Sequence, residues 1–498
     1  MSGRTELPLH QSPSDPSPGQ DQSRLIPPSP QLSFPLNYAH VVVQFLLLVA
    51  LLPVDAIRYS LGSRRSRPRE SWTVLESVLL NGARRYLAMM DKSGFKISAR
   101  DVFAEPRRRE ISSHGQTVEF EWIEEHVDRE LTSGTVIDDE DTNCDMRDKV
   151  GMYSLYRRRR PRDEADAHES NGLVGIFFHG GAFTHNSAHP SSTSSVMPRT
   201  LFEREERFDS MHSVEFRLLP EYPFPAQLQD AVTVYVALLR QRNVRPENIV
   251  LIGDSSGANI ALSLASWIRD TVEEKPLHSN VASRDDGHHD KEKGRARWKL
   301  RVPGGLILFS PWVDPSHSFL DSTPDEYVQR SNSCDYIFES GPFRHHLVHS
   351  LLGRRETTRE GGRVVPARDR RFVLSPYLSP GRVRVPVGTF ANLVTRPQAR
   401  ESASDKNDLG GTATSARRGG GVFAAYGTGE RGQAECERLI SYLKRDLEVG
   451  GEGDEAVRFV ETRDTPHDVL LMAFWRKEQR EQVWNGALDF LKRLPAAR

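Results

Sequence analysis

Short apolar runs separated by stretches of helical periodicity fill the chain from about Val150 onward. Residues 172–178 read GLVGIFF, a run without polar positions that suits a strand covered on both faces. VEFRLL at 214–219, NIVLI at 248–252, GLILF at 305–309, GVFAAY at 421–426 and VRFVE at 457–461 have the same character. Between them, Pro225 to Arg240 spaces Ala226, Leu228, Val232, Val234, Val236 and Leu238 among polar residues, which predicts a helix. ANIALSLASWI at 258–268 reads as a second amphipathic helix. Strands alternating with helices predict βαβ units and a mostly parallel sheet flanked by helices. Upstream the pattern thins. Val74 to Met90 has helical spacing, residues 96–125 alternate enough for one or two strands, and Asp128 to Asp148 reads as an acidic surface loop.

Three stretches lack any period. Residues 1–37 are rich in Pro, Ser and Gln, and residues 276–298 and 396–420 are charged and rich in Gly and Ser. Such segments cannot bury enough surface to offset their ordering entropy, so a disordered tail and two disordered insertions are expected. Residues 38–60 hold an apolar run, Val41 to Val54, broken only by Gln44 and Pro53. As a helix that run spans about 21 Å, against a hydrocarbon core of about 30 Å. It is read as a candidate membrane anchor, with a buried helix packing on the body as the alternative. The arginines that follow (Arg58, Arg64, Arg65, Arg67, Arg69) would keep the C-terminal side of a spanning helix in the cytosol. The chain therefore divides into a tail (1–37), a hydrophobic segment (38–60), N-terminal helices and first strands (61–149) and a core (150–498).

Composition narrows the chemistry. A net charge of −1 over 498 residues provides no field for nucleic acid, which is not expected as a partner. The three cysteines, Cys144, Cys334 and Cys436, exclude a disulfide framework and a Cys-based zinc module, though one bridge stays open. His288, His289 and Asp290 cluster inside the first insertion, where nothing would orient them as ligands. No metal and no organic cofactor is expected, and no glycine-rich phosphate loop is found.

The chemistry gathers at two loops. Gly253-Asp254-Ser255-Ser256-Gly257 follows the NIVLI strand and opens the ANIALSLASWI helix, the strand–turn–helix setting in which G-x-S-x-G exposes a nucleophilic serine. Ser255 stands at its centre, and the helix start lends positive potential to an anionic intermediate. The second loop, His179-Gly180-Gly181-Ala182-Phe183, follows the GLVGIFF strand. Its small residues can turn N–H groups toward a developing oxyanion. The expected donors are Gly181 and Ala182, with Gly180 shaping the turn and Ser256 N–H completing the hole. His179 is read as a structural hydrogen-bonder of the loop.

With these motifs, FRLLPEYPFPAQLQD (216–230), FSPWVD (309–314), SPYLSP (375–380) and TPHDVLL (465–471) make the chain resemble the hormone-sensitive-lipase group of α/β-hydrolases. A fungal subgroup with an N-terminal apolar segment, including steryl acetyl hydrolases, is the most similar. The resemblance implies an α/β-hydrolase fold of eight strands with a helical cap built partly from the N-terminal helices. It implies a Ser–acid–His order, with His467 as base and Glu430, in YGTGERGQAE, as acid; Glu435, Asp454 and Asp464 are fallbacks. Arg217, Glu221 and Asp230 are expected to hold the fold. The implied activity is hydrolysis of carboxylic esters, with a hydrophobic ester as partner, such as a steryl acetate. Some relatives in this fold bind small molecules without hydrolysing them, and the retained His467 argues against that alternative. A peptidase is the third reading. The implied location is the endoplasmic reticulum membrane, with the core on either face, or else the cytoplasm. Ala182 departs from the group's usual third glycine; it keeps the N–H but narrows the backbone's choices.

Overall fold

The computed structural model describes residues 31–107, 118–125, 127, 149–157, 172–274, 300–316, 335–337, 342–356, 364–366, 370–395, 420–448 and 456–495. The acidic stretch 128–148, the His288–Asp290 cluster, Cys144, Cys334 and Asp454 lie outside them, as do the tail to residue 30 and almost all of both expected insertions.

Eight strands form one sheet: β1 (Val118–Glu124), β2 (Lys149–Tyr156), β3 (Leu173–Phe178), β4 (Phe208–Glu215), β5 (Ile249–Asp254), β6 (Gly305–Phe309), β7 (Gly421–Gly427) and β8 (Val457–Thr462). Their order is β1-β2-β4-β3-β5-β6-β7-β8. Strand β2 is antiparallel to both its neighbours, and every pair from β4 onward is parallel. Parallel strands need crossovers, and helices α3 (Val196–Arg204), α4 (Ala226–Arg240), α5 (Ser256–Glu274), α6 (Pro342–Leu351), α7 (Gln433–Leu447) and α8 (Lys477–Leu491) lie in those connections or after β8.

The apolar runs are explained by burial on both faces. In β3, Val174, Ile176 and Phe178 join a core with α4 and α5, while Leu173 and Phe177 join the opposite core with α3 and α8. Burying the side chains of these central strands stabilises by roughly 1.5–3 kcal/mol for each large one. Two strand expectations shift. β4 occupies 208–215 rather than 214–219, because Ser210, His212 and Ser213 are buried polar residues that mask the strand. The His212 ring nitrogen Nδ1 meets Ser154 Oγ on β2 at 2.8 Å, which satisfies them inside the sheet. Residues 216–219 leave the ladder, and Arg217 turns to Asp230 at 2.8 Å in a buried ion pair. Within 96–125, among the described residues, only Val118–Glu124 is a strand.

Two helices precede the sheet. α1 (Leu36–Leu61) has 26 residues, about 39 Å at the helical rise, and exceeds the apolar run because the helix starts ahead of Val41 and continues past Val54 through Asp55 to Leu61. It is long and apolar enough to cross a membrane. It is not a buried body helix: Val42, Phe45, Leu46 and Val49 are exposed, and only Asp55 and Tyr59 are buried. Those two face α2 (Val74–Ser93), where Asp55 pairs with Arg85 and accepts from Asn81 at 2.9 Å. α2 begins with a capping box, Thr73 Oγ1 accepting from Glu76 N–H and Glu76 reaching back to Thr73 N–H.

Thr395 and Gly420 are joined to each other and to the approach to β6. Gly420 N–H donates to the Thr395 carbonyl at 2.8 Å, and Thr395 N–H donates to the Pro303 carbonyl at 3.0 Å, just ahead of β6.

Candidate active site

Ser255 sits between β5 and α5 with φ of 54°, in the left-handed region that costs an L-residue roughly 1–2 kcal/mol. Its N–H donates to the Phe309 carbonyl at the end of β6, and its own carbonyl accepts from Trp312 N–H, so the turn is pinned by β6. Gly257 has to be glycine: a Cβ there would lie 2.0 Å from the Phe178 carbonyl oxygen. That contact brings the end of β3, and with it the HGGAF loop, against the start of α5.

The loop holds its shape through left-handed backbone at Gly181, Ala182 and Phe183, with φ of 117°, 53° and 59°. Phe183 N–H donates to Ser256 Oγ at 3.2 Å, fastening loop to elbow. Among the described residues the N–H groups of Gly181, Ala182 and Ser256 donate to no protein group. Gly180 packs against Asp254, whose Oδ2 would be 2.7 Å from a Cβ on Gly180. His179 stacks on Phe216 with centroids 4.2 Å apart, and its Nδ1–H donates to the Gly180 carbonyl. Burial lowers its pKa to about 4, so it is a neutral brace.

His467, in the loop after β8, faces Ser255. Ser255 Oγ lies 2.8 Å from Nε2, and Nδ1–H donates to Glu430 Oε2 at 3.2 Å. The structure thus brings Ser255, His467 and Glu430 together in one row. Glu430 follows β7, and its other oxygen accepts from Ser310 Oγ at 2.6 Å and from Gly427 N–H at 2.7 Å. Burial lifts its pKa, an effect that the hydrogen bond from His467 opposes. The fallbacks stand elsewhere: Glu435 lies 3.7 Å from Arg438, and Asp464 is held by Ser71 and Arg69.

Four residues escaped the sequence reading. Asp468 brings Oδ2 to 3.0 Å from the same His467 Nε2 that meets the serine. Asp254, fully buried behind the elbow, has its pKa raised well above the ordinary carboxylate value by burial and then by Asp468. Asp335 accepts from Arg431 N–H (2.8 Å), Tyr336 N–H (2.8 Å) and His467 N–H (3.3 Å), linking the acid and base loops. Ser310 both donates to Glu430 and accepts from Asp468 N–H at 3.1 Å. Burial depresses the proton affinity of His467, but the Asp468 and Glu430 carboxylates outweigh it and raise the pKa well above the ordinary value. Among the described residues no set of three or more His, Cys, Asp or Glu side chains is arranged to hold a metal, and Cys436 is a buried free thiol.

A family model described as alpha/beta hydrolase fold matches residues 175–361, which include the HGGAF loop and the GDSSG elbow. Rabbit (Oryctolagus cuniculus) arylacetamide deacetylase is 36% identical over 101 residues, covering 19% of this chain and 25% of that protein. The chain has the α/β-hydrolase fold. An esterase of Acinetobacter venetianus is 29% identical to this chain over 154 residues, 30% of the chain and 39% of the relative. An acetyl-hydrolase of Streptomyces hygroscopicus is 30% identical over 176 residues, 32% and 56% of the two chains. The chain thus spans little more than half of each of these relatives, or less.

Proposed function

We propose that this α/β-hydrolase is a serine esterase that cleaves carboxylic esters through an acyl-enzyme on Ser255. The observation that carries the reading is the row Glu430–His467–Ser255, with contacts of 3.2 and 2.8 Å. His467 takes the Ser255 proton on Nε2 as Oγ attacks the ester carbonyl. Glu430 holds the proton on Nδ1 and stabilises the imidazolium. The unpaired N–H groups of Gly181, Ala182 and Ser256 receive the oxyanion. His467 then hands its proton to the departing alkoxide, releasing the alcohol. Water, deprotonated by His467, cleaves the acyl-enzyme by the same steps. No step calls for a metal or an organic cofactor.

The finer reading is an acetyl ester of a hydrophobic alcohol such as a sterol. It rests on the resemblance to fungal steryl acetyl hydrolases and on the exposed apolar face of α1, which we read as a membrane anchor. The Streptomyces relative, named an acetyl-hydrolase, points to the same short acyl group.

The test is hydrolysis of p-nitrophenyl acetate by the full chain, followed by a panel of steryl acetates and acylglycerols. Ser255→Ala and His467→Ala should each abolish the reaction; equal rates for wild type and Ser255→Ala refute the enzymatic reading. Carbonate extraction of membranes with and without residues 38–56 tests the anchor, which is refuted if both forms wash off alike.

A further inference from the structure

Helix α2 is bonded to the candidate site at both of its ends. Before its first turn, Ser71 Oγ donates to Asp464 Oδ2 at 2.9 Å, and the buried Trp72 indole N–H donates to the Asp464 carbonyl at 2.6 Å. Arg69 lies 3.7 Å from Asp464 Oδ1 and donates to the Thr428 carbonyl at 3.4 Å. Asp464 leads into His467, and Thr428 leads into Glu430. The two loops are also tied to each other, because Asp464 N–H donates to Thr428 Oγ1 at 2.7 Å.

The far end of α2 meets the oxyanion loop. His185 Nδ1 accepts from Ile97 N–H at 3.1 Å, so its proton belongs on Nε2, which faces the buried Asp91 at 3.4 Å. Asn186 N–H donates to the Ile97 carbonyl at 2.7 Å. Both residues grip the loop itself: His185 N–H donates to the Gly181 carbonyl at 2.9 Å, and Asn186 Nδ2 donates to the Gly180 carbonyl at 3.2 Å. Between these ends runs a helix of 20 residues, about 30 Å of rod. Its first turn is stiffened by the capping box and by Arg476, which donates to Glu76 Oε1 at 2.9 Å.

We infer that α2 is a strap that fixes the spacing between the histidine loop and the oxyanion loop, with Trp72, Asp464, Asp91 and His185 as positioning residues. This rests on the ester-hydrolysis reading of Ser255. The base and the oxyanion donors must meet one tetrahedral centre from two sides, and a displacement near 1 Å costs about a hundredfold in rate. A rigid element bonded to both loops holds that geometry without touching substrate.

The test uses the full chain in detergent with p-nitrophenyl acetate. Trp72→Phe keeps the ring beside Trp475 but removes the indole N–H. Its kcat should fall about 10–100-fold with KM within about threefold, since only transition-state contacts are lost. The pH at which kcat/KM reaches half its plateau should move as well, because the environment of His467 changes. Asp91→Ala should lower kcat about tenfold and leave that pH in place, since it loosens only the oxyanion loop. Asp91→Asn, which keeps an acceptor opposite His185 Nε2–H, should return kcat to within about threefold of wild type. If Trp72→Phe does not fold, Ser71→Ala, at an exposed position, reads the same end. An unchanged kcat at either end, in a variant with the wild-type melting temperature, overturns the strap. Wild-type rates no higher than those of Ser255→Ala overturn the ester reading and this inference with it.

Discussion

Glu430→Gln is the sharpest test of the acid, because its two carboxylate oxygens have unlike partners. Oε1 receives the Ser310 hydroxyl and the Gly427 N–H, at 2.6 and 2.7 Å; Oε2 receives His467 Nδ1–H at 3.2 Å. A glutamine must turn its oxygen toward the fixed Gly427 N–H, so its NH₂ lands opposite Nδ1. An amide nitrogen only donates. Nδ1 must then become an acceptor, the ring proton moves to Nε2, and Nε2 loses the lone pair that would accept the Ser255 proton. An amide in the acid position of such a row costs about 10⁴ in kcat, or about 5.5 kcal/mol of barrier. Stability should change little, because burial already opposes a charge at this position. The assay is initial-rate hydrolysis of p-nitrophenyl acetate, with thermal melting as the folding control. A folded Glu430→Gln that keeps more than a tenth of wild-type kcat refutes the tautomer argument and moves the acid elsewhere.

Three further outcomes follow from the same neighbourhood and from the core. The raised pKa of His467 means that the free base appears only as pH climbs past it, so kcat/KM should rise on the alkaline side of the usual histidine range. Asp468→Asn removes the carboxylate 3.0 Å from Nε2 and should shift that limb about 1–2 pH units toward acid; an unmoved limb would show that Asp468 does not set it. Buried Glu215 is lifted to about 8 by desolvation, against the Ala188 N–H it accepts and the charge of Arg100. Its folded form therefore holds a proton that the unfolded chain releases, and stability from this group is lost as pH rises from about 4.5 to about 8. Glu215→Gln should be more stable than wild type at pH 8 by about 2–4 kcal/mol in urea melts, and equal stabilities would refute the assignment. Ala182→Gly should raise stability by about 1 kcal/mol by relieving the left-handed φ of 53°, with esterase activity retained; a lower melting temperature would contradict it.

How much of this was legible depended on how local each signal is. The strands GLVGIFF and NIVLI announce themselves because both faces are buried, and the elbow announces itself because a strained serine needs a small residue such as Gly257 beside it. β4 starts earlier than the apolar pattern indicates because its buried His212 is satisfied across the sheet by Ser154, which no linear pattern displays. α1 was read short because an apolar run ends at the first charge, whereas a helix continues through Asp55 once Arg85 answers it. Ser255, His467 and Glu430 stand together in space, but Glu430 was chosen on resemblance, since nothing in YGTGERGQAE distinguishes one carboxylate from its neighbours. Asp335 and Asp468 could not be found from sequence at all. Their roles consist of N–H groups and a ring nitrogen brought from distant positions.

The hydrogen bond that closes the chain at Thr395 and Gly420 says something about where this protein can change. All the parallel strands point one way, so Ser255, Glu430, His467 and the HGGAF loop leave from one rim of the sheet. The expected insertions enter ahead of β6 and β7, at the other rim. With Gly420 N–H bonded to the Thr395 carbonyl at 2.8 Å, added length between them costs only about 0.6 kcal/mol per doubling. The rim that carries Ser255 and His467 and the rim at which length is added are therefore opposite edges of the sheet. This is why more than twenty residues of low-complexity sequence can stand immediately upstream of β7, the strand that leads into Glu430.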